Sequence, residues 1–251
     1  MQGFIADRVV LRLSGADHYR FLQDLVSNDL ERLSDGAVYA ALLTPQGKYL
    51  FDFFVISEGD ALLVDVKAER AQALAQRLAM YRLRAKVEIA ATDLQVAQVF
   101  GPKPEGLAVA DPRGAELGWR VYGTGLAVEG AEEAWTRLRI AHGVPETGAE
   151  LVADQSYILE MDFERLNGVD FKKGCYVGQE VTARMKHKTE LKKGLARVAV
   201  EGAAEPGTEI TADGKPAGML HTVLDGEGLA YLRFDRAKGA MQAGEAVVRR
   251  L

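Results

Sequence analysis

The single cysteine of this 251-residue chain lies in the octapeptide Lys173-Gly174-Cys175-Tyr176-Val177-Gly178-Gln179-Glu180. A thiol becomes a nucleophile or metal ligand as its thiolate, and neighbouring cations favour that form. Lys172 and Lys173 place two such charges beside the sulfur, while Gly174 and Gly178 free the backbone for unusual dihedrals or close approach to a ligand. Gln179 and Glu180 add an amide and a carboxylate within a few residues. Two readings of Cys175 stand side by side. One is a reactive thiol on a cationic loop; the other is a small buried hydrophobe in a Gly-rich turn.

Other candidates are spread along the chain. Asp52 interrupts the apolar run Leu50-Phe51-Asp52-Phe53-Phe54, and Glu160 follows Ile158-Leu159. Either carboxylate could accept hydrogen bonds from a ligand or relay a proton. A solvated strand edge for Asp52, or a helix start for Glu160, is the structural alternative. Lys172, Lys173, Arg184, Lys186, Lys188, Lys192 and Lys193 form a cationic stretch with His187 among them. Such a stretch suits carboxylates or phosphates, although a solvated face accounts for most of it. Trp119 and Trp135 offer flat surfaces for stacking, with core packing the better reading of Trp135. The four histidines have no partner at metal-ligand spacing, and no phosphate-binding Gly-rich signature is present.

The elements that must carry these residues follow from periodicity. Apolar alternation predicts strands at Val9–Leu13, Val38–Leu43, Tyr49–Ser57 and Ala61–Val66, with Thr44–Gly47 as a turn. Ser14 and Asp17 resemble an N-cap opening a helix through Phe21, Leu22 and Leu25. The Ala-rich run Glu69–Arg82 predicts the clearest helix, followed by strands near Val87–Ile89 and Val96–Phe100. Gly101-Pro102-Lys103-Pro104 is a breaker and the expected first domain boundary. Beyond it come strands at Leu107–Ala110 and Trp119–Tyr122, then a helix over about Ala131–Ala141. The segment Leu151–Arg184 is expected as loops around short helices. From Leu195 onward, five short strands separated by Pro-Gly, Asp-Gly, Lys-Gly and Ala-Gly dipeptides predict a small barrel or sandwich.

Composition sets the outer limits. The chain is 48% hydrophobic and 27% charged, as an ordinary globular protein is. One cysteine excludes an intramolecular disulfide and a cluster held by this chain alone, since such clusters take about four thiolates. A net charge of −5 argues against general nucleic-acid binding. No run reaches the roughly 18 apolar residues of a membrane span. With no basic and apolar leader at Met1–Arg8, the expectation is a cytoplasmic protein with no membrane partner.

The block Gly168-Val169-Asp170-Phe171-Lys172-Lys173 running into the octapeptide, with Val181 and Arg184 after it, resembles the signature of the YgfZ family. These are folate-binding relatives of the glycine-cleavage T-protein, an aminomethyltransferase. Phe21–Asp29, Leu43–Lys48 with Phe51-Asp52, Tyr81–Val87 and Leu117–Arg120 fit the same family in order. The resemblance implies an α+β, T-protein-like fold. Its parts would be an N-terminal α+β module (1–100), an interlocked second one carrying the octapeptide (101–191) and a C-terminal β-barrel (192–251).

It further implies tetrahydrofolate, or a one-carbon-substituted form, in a central hollow, and transient partnership with iron–sulfur proteins or their assembly machinery. A tRNA-modifying enzyme would be among the clients, with a weak tRNA contact as a further possibility. Cys175 and Asp52 would be the reactive residues, and Asp52, Glu160, Trp119, Lys173, Tyr176, Gln179 and Arg184 the folate-facing ones. Two departures stand out. Ile158-Leu159 replaces a proline-containing pair before Glu160, and Arg120 stands where aminomethyltransferases carry a carboxylate, which implies loss of methylene transfer. The alternative function is a folate-dependent aminomethyl transferase acting on another substrate.

Overall fold

The computed structural model describes residues 1–251 apart from Ala131, Lys188 and Thr189. The chain runs through β1 (Gly3–Ile5), β2 (Arg8–Ser14), α1 (His18–Gln23), β3 (Val38–Leu43), β4 (Tyr49–Glu58), β5 (Ala61–Lys67) and α2 (Ala68–Arg82). There follow β6 (Glu88–Ala91), β7 (Gln95–Val99), β8 (Leu107–Ala110), β9 (Trp119–Gly123), α3 (Glu132–Ala141) and α4 (Gln179–His187). The last part holds β10 (Lys193–Glu201), β11 (Glu209–Ala212), β12 (Lys215–Leu224), β13 (Glu227–Arg233), β14 (Met241–Ala243) and β15 (Ala246–Arg250).

The first sheet has the order β3-β4-β5-β2-β6, antiparallel throughout. Both of its faces are covered, which is why β3 and β4 read as nearly continuous apolar runs rather than alternating ones. Side chains alternate across a strand. Accordingly Phe51, Phe53 and Val55 join the core beneath α1 and α2, while Phe54 and Ile56 join a second core facing the centre of the molecule; Tyr49 joins them because the β3–β4 register shifts at Leu50. Asp52 shares parity with Phe54 and so points to that centre.

The second sheet has the order β1-β7-β9-β8. Strands from both sides of residue 100 are therefore hydrogen-bonded together, and Gly101–Pro104 is a connection within one sheet. Segments 1–100 and 101–191 share a hydrophobic core through Phe4, Val96, Trp135 and Phe163.

The C-terminal strands close into a barrel in the order β10-β13-β12-β11-β14-β15. Its sixth strand, β14, escapes sequence reading because three residues between Gly239 and Gly244 carry no periodic signal. Val198, Ile210, Leu220, Leu232 and Val248 fill the interior. Two local expectations change. Ser14 ends β2, and Asp17 does not cap α1 with its side chain; its Oδ2 accepts from Lys86 N–H at 2.7 Å instead. The predicted helix start at Ala131 lies outside the described residues.

Candidate functional site

The octapeptide forms a loop leading into α4. Asp170 Oδ1 accepts from Lys172 N–H (2.6 Å) and Lys173 N–H (3.1 Å), folding the approach into a side-chain-closed turn. Lys173 then turns inward. Its ammonium donates to three main-chain carbonyls of the segment after α1: Gln23 (2.7 Å), Val26 (2.6 Å) and Asn28 (3.0 Å). Burial lowers its pKa to about 8, against the pull of Asp29, Asp24 and Asp170. Tyr176 is also buried, with its phenol pushed up to about 12 by burial.

On the other side Gly178 packs on the β3–β4 turn. It has φ +82°, and a Cβ there would stand 2.5 Å from Thr44 O and 3.0 Å from Gly47 Cα. Only glycine meets both demands. Between these anchors Gly174 and Cys175 are exposed, with open space around Gly174. The thiol is therefore displayed, which removes the reading of a buried structural cysteine. Of the two flanking lysines only Lys172 remains at the surface; the charge of Lys173 is engaged by carbonyls, so it faces no ligand. Gln179 Nε2 lies 3.5 Å from Gly174 O, and Arg184 is exposed on α4. In the cationic stretch Lys186 pairs with Glu164, Lys192 and Lys193 are exposed, and Lys188 lies outside the described residues.

Asp52 is buried away from this loop. Tyr39 OH donates to its Oδ2 (3.0 Å), and Tyr49 OH (2.7 Å) and Thr147 Oγ1 both donate to Oδ1. Burial, then the Asp52 charge, hold both phenols protonated far above neutral pH. Beside it, Arg113 and Arg120 lie over the Phe54 ring at 4.7 and 3.7 Å from its centroid. Arg113 grips Asp111 through Nε (2.9 Å) and Nη2 (2.7 Å), while Arg120 grips Asp65, which also takes Arg8. Burial by itself would raise the Asp65 pKa, but Arg120 and Arg8 outweigh it and hold the carboxyl below its ordinary range. The hollow between Asp52, Arg113 and Arg120 measures only about 20 Å³, room for about one water. It is too small for a pterin in this arrangement, and three of the roughly four acceptor positions of Asp52 are taken by hydroxyls.

Glu160 occupies a different place. It accepts from Tyr231 OH at 2.6 Å, across the junction of the second module and the barrel. Tyr231 in turn lines a cleft of about 370 Å³ with Glu150, Gln155, Ser156, Met161, Met219 and His221, and Glu160 stands behind Tyr231 rather than in the lining. Burial lowers the His221 pKa, so its imidazole is neutral at physiological pH. The size falls within the roughly 300–1,000 Å³ of small-molecule sites, and its mixture of apolar walls and a few hydrogen-bonding groups suits a flat polar ring. Trp119 is half-buried at the start of β9, where its indole N–H donates to Gly101 O at 3.0 Å. The predicted residues are thus spread over four locations: the Cys175 loop, the Asp52 hub, Glu160 behind the Tyr231 cleft, and Trp119 at the start of β9. Tyr39, Tyr49, Thr147 and Tyr231 went unpredicted. The signal available was the buried acid in an aromatic strand, which requires donors from somewhere.

Residues 192–250 match the family model described as the CAF17 C-terminal beta-barrel domain. Over 276 residues the chain is 31% identical to "Iron-sulfur cluster assembly factor IBA57, mitochondrial" of Homo sapiens, covering 93% of this chain and 78% of that protein. It is 30% identical to the mitochondrial IBA57 homolog of Mycosarcoma maydis, covering 85% of this chain and 60% of that one. Among solved structures it is similar to glycine cleavage system aminomethyltransferase T from Bartonella henselae, with a TM-score of 0.79 over 98% of this chain and 83% of that one. At 13% identity this likeness shows the fold alone. The T-protein-like architecture with its terminal barrel is therefore established. The resemblance to YgfZ stands at that coarser level, since the relatives are named IBA57. Their mitochondrial names also overturn the cytoplasmic placement. A lone cysteine and a modest negative charge suit any thiol-reducing compartment and cannot choose among them.

Proposed function

This chain belongs to the IBA57 family of iron–sulfur cluster assembly factors, and from that premise we propose that it is an accessory protein in the assembly or maintenance of iron–sulfur proteins, acting through Cys175. The observation that carries the reading is a single exposed thiol on a loop fixed from two sides, by Lys173 beneath and Gly178 against the β3–β4 turn. One thiolate holds only a fraction of a cluster's ligands. The cluster, or the protein bearing it, is therefore the cargo, and the remaining ligands come from the partner. Anchoring the loop keeps the sulfur in one place, so a partner's thiolates meet it without ordering the loop first.

Tetrahydrofolate enters on the Glu160 side of the molecule. Tyr231, oriented by Glu160, would hold the pterin edge, with Met161 and Met219 against its faces. When bound, the group supplies a one-carbon carrier; the residues here bind and orient it. The aminomethyl-transfer alternative gains no support at the centre, where Asp52 accepts from three hydroxyls and Arg120 is tied to Asp65.

The test uses a strain lacking its own homologue and reads iron–sulfur enzyme activity. Cys175→Ala should fold as the wild type does and fail to restore activity. Full restoration by that variant would remove the thiol from the proposal. Tetrahydrofolate titrated calorimetrically into the wild type and Glu160→Gln checks the cleft, with weaker binding expected in the variant.

A further inference from the structure

A second cavity, separate from the thiol loop and the Glu160 cleft, lies where the end of α3, the turn Asp162–Arg165 and the barrel strands β10 and β15 meet. It measures about 390 Å³, within the small-molecule range. Arg165, Arg197, Arg250 and His142 line it. We infer that this cavity binds a small molecule carrying two or more carboxylate or phosphate groups.

The argument is an account of hydrogen-bond donors. A guanidinium carries five N–H groups. Arg165 uses Nε on Asp162 and Nη2 on Gly143 O (3.0 Å). Arg197 uses Nη2 on Glu227 at 3.2 Å, and its Nε is buried with no partner. Arg250 forms no ion pair or side-chain hydrogen bond among the described residues. Its guanidinium is held over the Phe234 ring, 4.4 Å from the centroid. A buried N–H without an acceptor is costly and rare, and a stacked guanidinium with all its donors free is already ordered for a ligand.

The backbone leaves room for one. Gly143 has φ +62°, and a side chain there would meet Arg165 Nη2 at 3.1 Å and Arg197 Cγ at 4.0 Å. Leu251 N–H donates to Arg197 O at 3.0 Å, fixing the end of β15 beside the cavity. The nearby acids are accounted for. Asp162 and Glu227 each engage one arginine. An oxyanion entering the cavity would find donors on three sides, and a second acidic group would reach the Arg250 fork.

Citrate and inorganic pyrophosphate are the probes, titrated into the whole chain by calorimetry and thermal shift at constant ionic strength, with chloride as the reference. One-site binding of either is expected, and which one binds tighter assigns the group as carboxylate or phosphate. Arg250→Ala alters an exposed side chain, so it should keep the wild-type circular dichroism spectrum. It should weaken binding by about tenfold or more. Arg197→Gln should do the same through the orphan Nε. The inference falls if neither probe binds beyond the chloride reference, or if both variants bind as the wild type does.

Discussion

Replacing Asp52 by alanine should destabilise the fold by about 3–5 kcal/mol. The figure follows from three hydroxyls that donate to one buried carboxylate. A hydrogen bond to a charged group contributes about 1.5–3 kcal/mol. Against that sum stands the desolvation of the carboxylate, several kcal/mol, which its removal returns. The penalty that survives comes from Tyr39, left buried with an unpaired hydroxyl, and from Tyr49 and Thr147, left with only each other at 2.8 Å. Urea unfolding followed by circular dichroism gives the loss by linear extrapolation. Asp52→Asn keeps an acceptor oxygen and should lose about half as much. Tyr49→Phe combined with Asp52→Ala should cost at least about 1 kcal/mol less than the two singles added, since both remove the same bond. A loss below about 1 kcal/mol for Asp52→Ala, or strict additivity in the double variant, would refute the structural assignment and return Asp52 to the ligand site.

The remaining predictions concern the thiol loop. Lys173→Met should cost about 2–4 kcal/mol, because three carbonyls lose their donor, and should change the alkylation rate of Cys175. The folded pKa of Lys173, about 8, lies below the unfolded value of 10.5, so the unfolded chain binds more protons between them. Stability should therefore rise with pH from about 8 to about 10.5, a slope that Lys173→Met abolishes in matched denaturation series; an unchanged slope would contradict it. Gly178→Ala combines a left-handed φ with a Cβ 2.5 Å from Thr44 O. It should cost about 1–3 kcal/mol in thermal unfolding, and a neutral result would show that the loop has another seat.

Much of this fold was legible because its strands are apolar runs bounded by turn residues. The Thr44–Gly47 turn, the Ala-rich helix and most barrel strands appear where periodicity and Gly-containing dipeptides place them. What stayed hidden was tertiary. Lys173 beside Cys175 reads as an activating charge, yet a lysine stem is long enough to carry its ammonium to carbonyls some 150 residues earlier, and nothing local tells which way it turns. Glu160 finds its partner 71 residues downstream on β13. Tyr39 and Tyr49 lie in strands that periodicity places, but their hydroxyls converge on Asp52 only because the β3–β4 hairpin sets them on the same face. The tight loop of the octapeptide was legible because glycine and turn constraints are local.

The likeness to an aminomethyltransferase in fold and the membership in an assembly-factor family are compatible once the charges are followed. In the first sheet and the second, the residues that could face a central ligand have turned to each other: Asp65 to Arg8 and Arg120, Asp111 to Arg113, Asp52 to three hydroxyls. Each carboxylate is matched within the protein, so the centre has become a packed polar core with space for about one water. A buried network of this kind is stable only when all its members are satisfied, which leaves little latitude for a ligand that would replace one of them. The open surfaces lie elsewhere, at the Glu160 cleft against the barrel and at the Cys175 loop against the first sheet. Because Lys173 and Gly178 tie that loop to the segment after α1 and to the β3–β4 turn, not to the barrel, a partner could engage the thiol without disturbing the cleft. Separate anchoring predicts that Cys175→Ala and Glu160→Gln act independently, the first on cluster-dependent activity and the second on folate affinity. Loss of folate binding in Cys175→Ala would show instead that loop and cleft form one site.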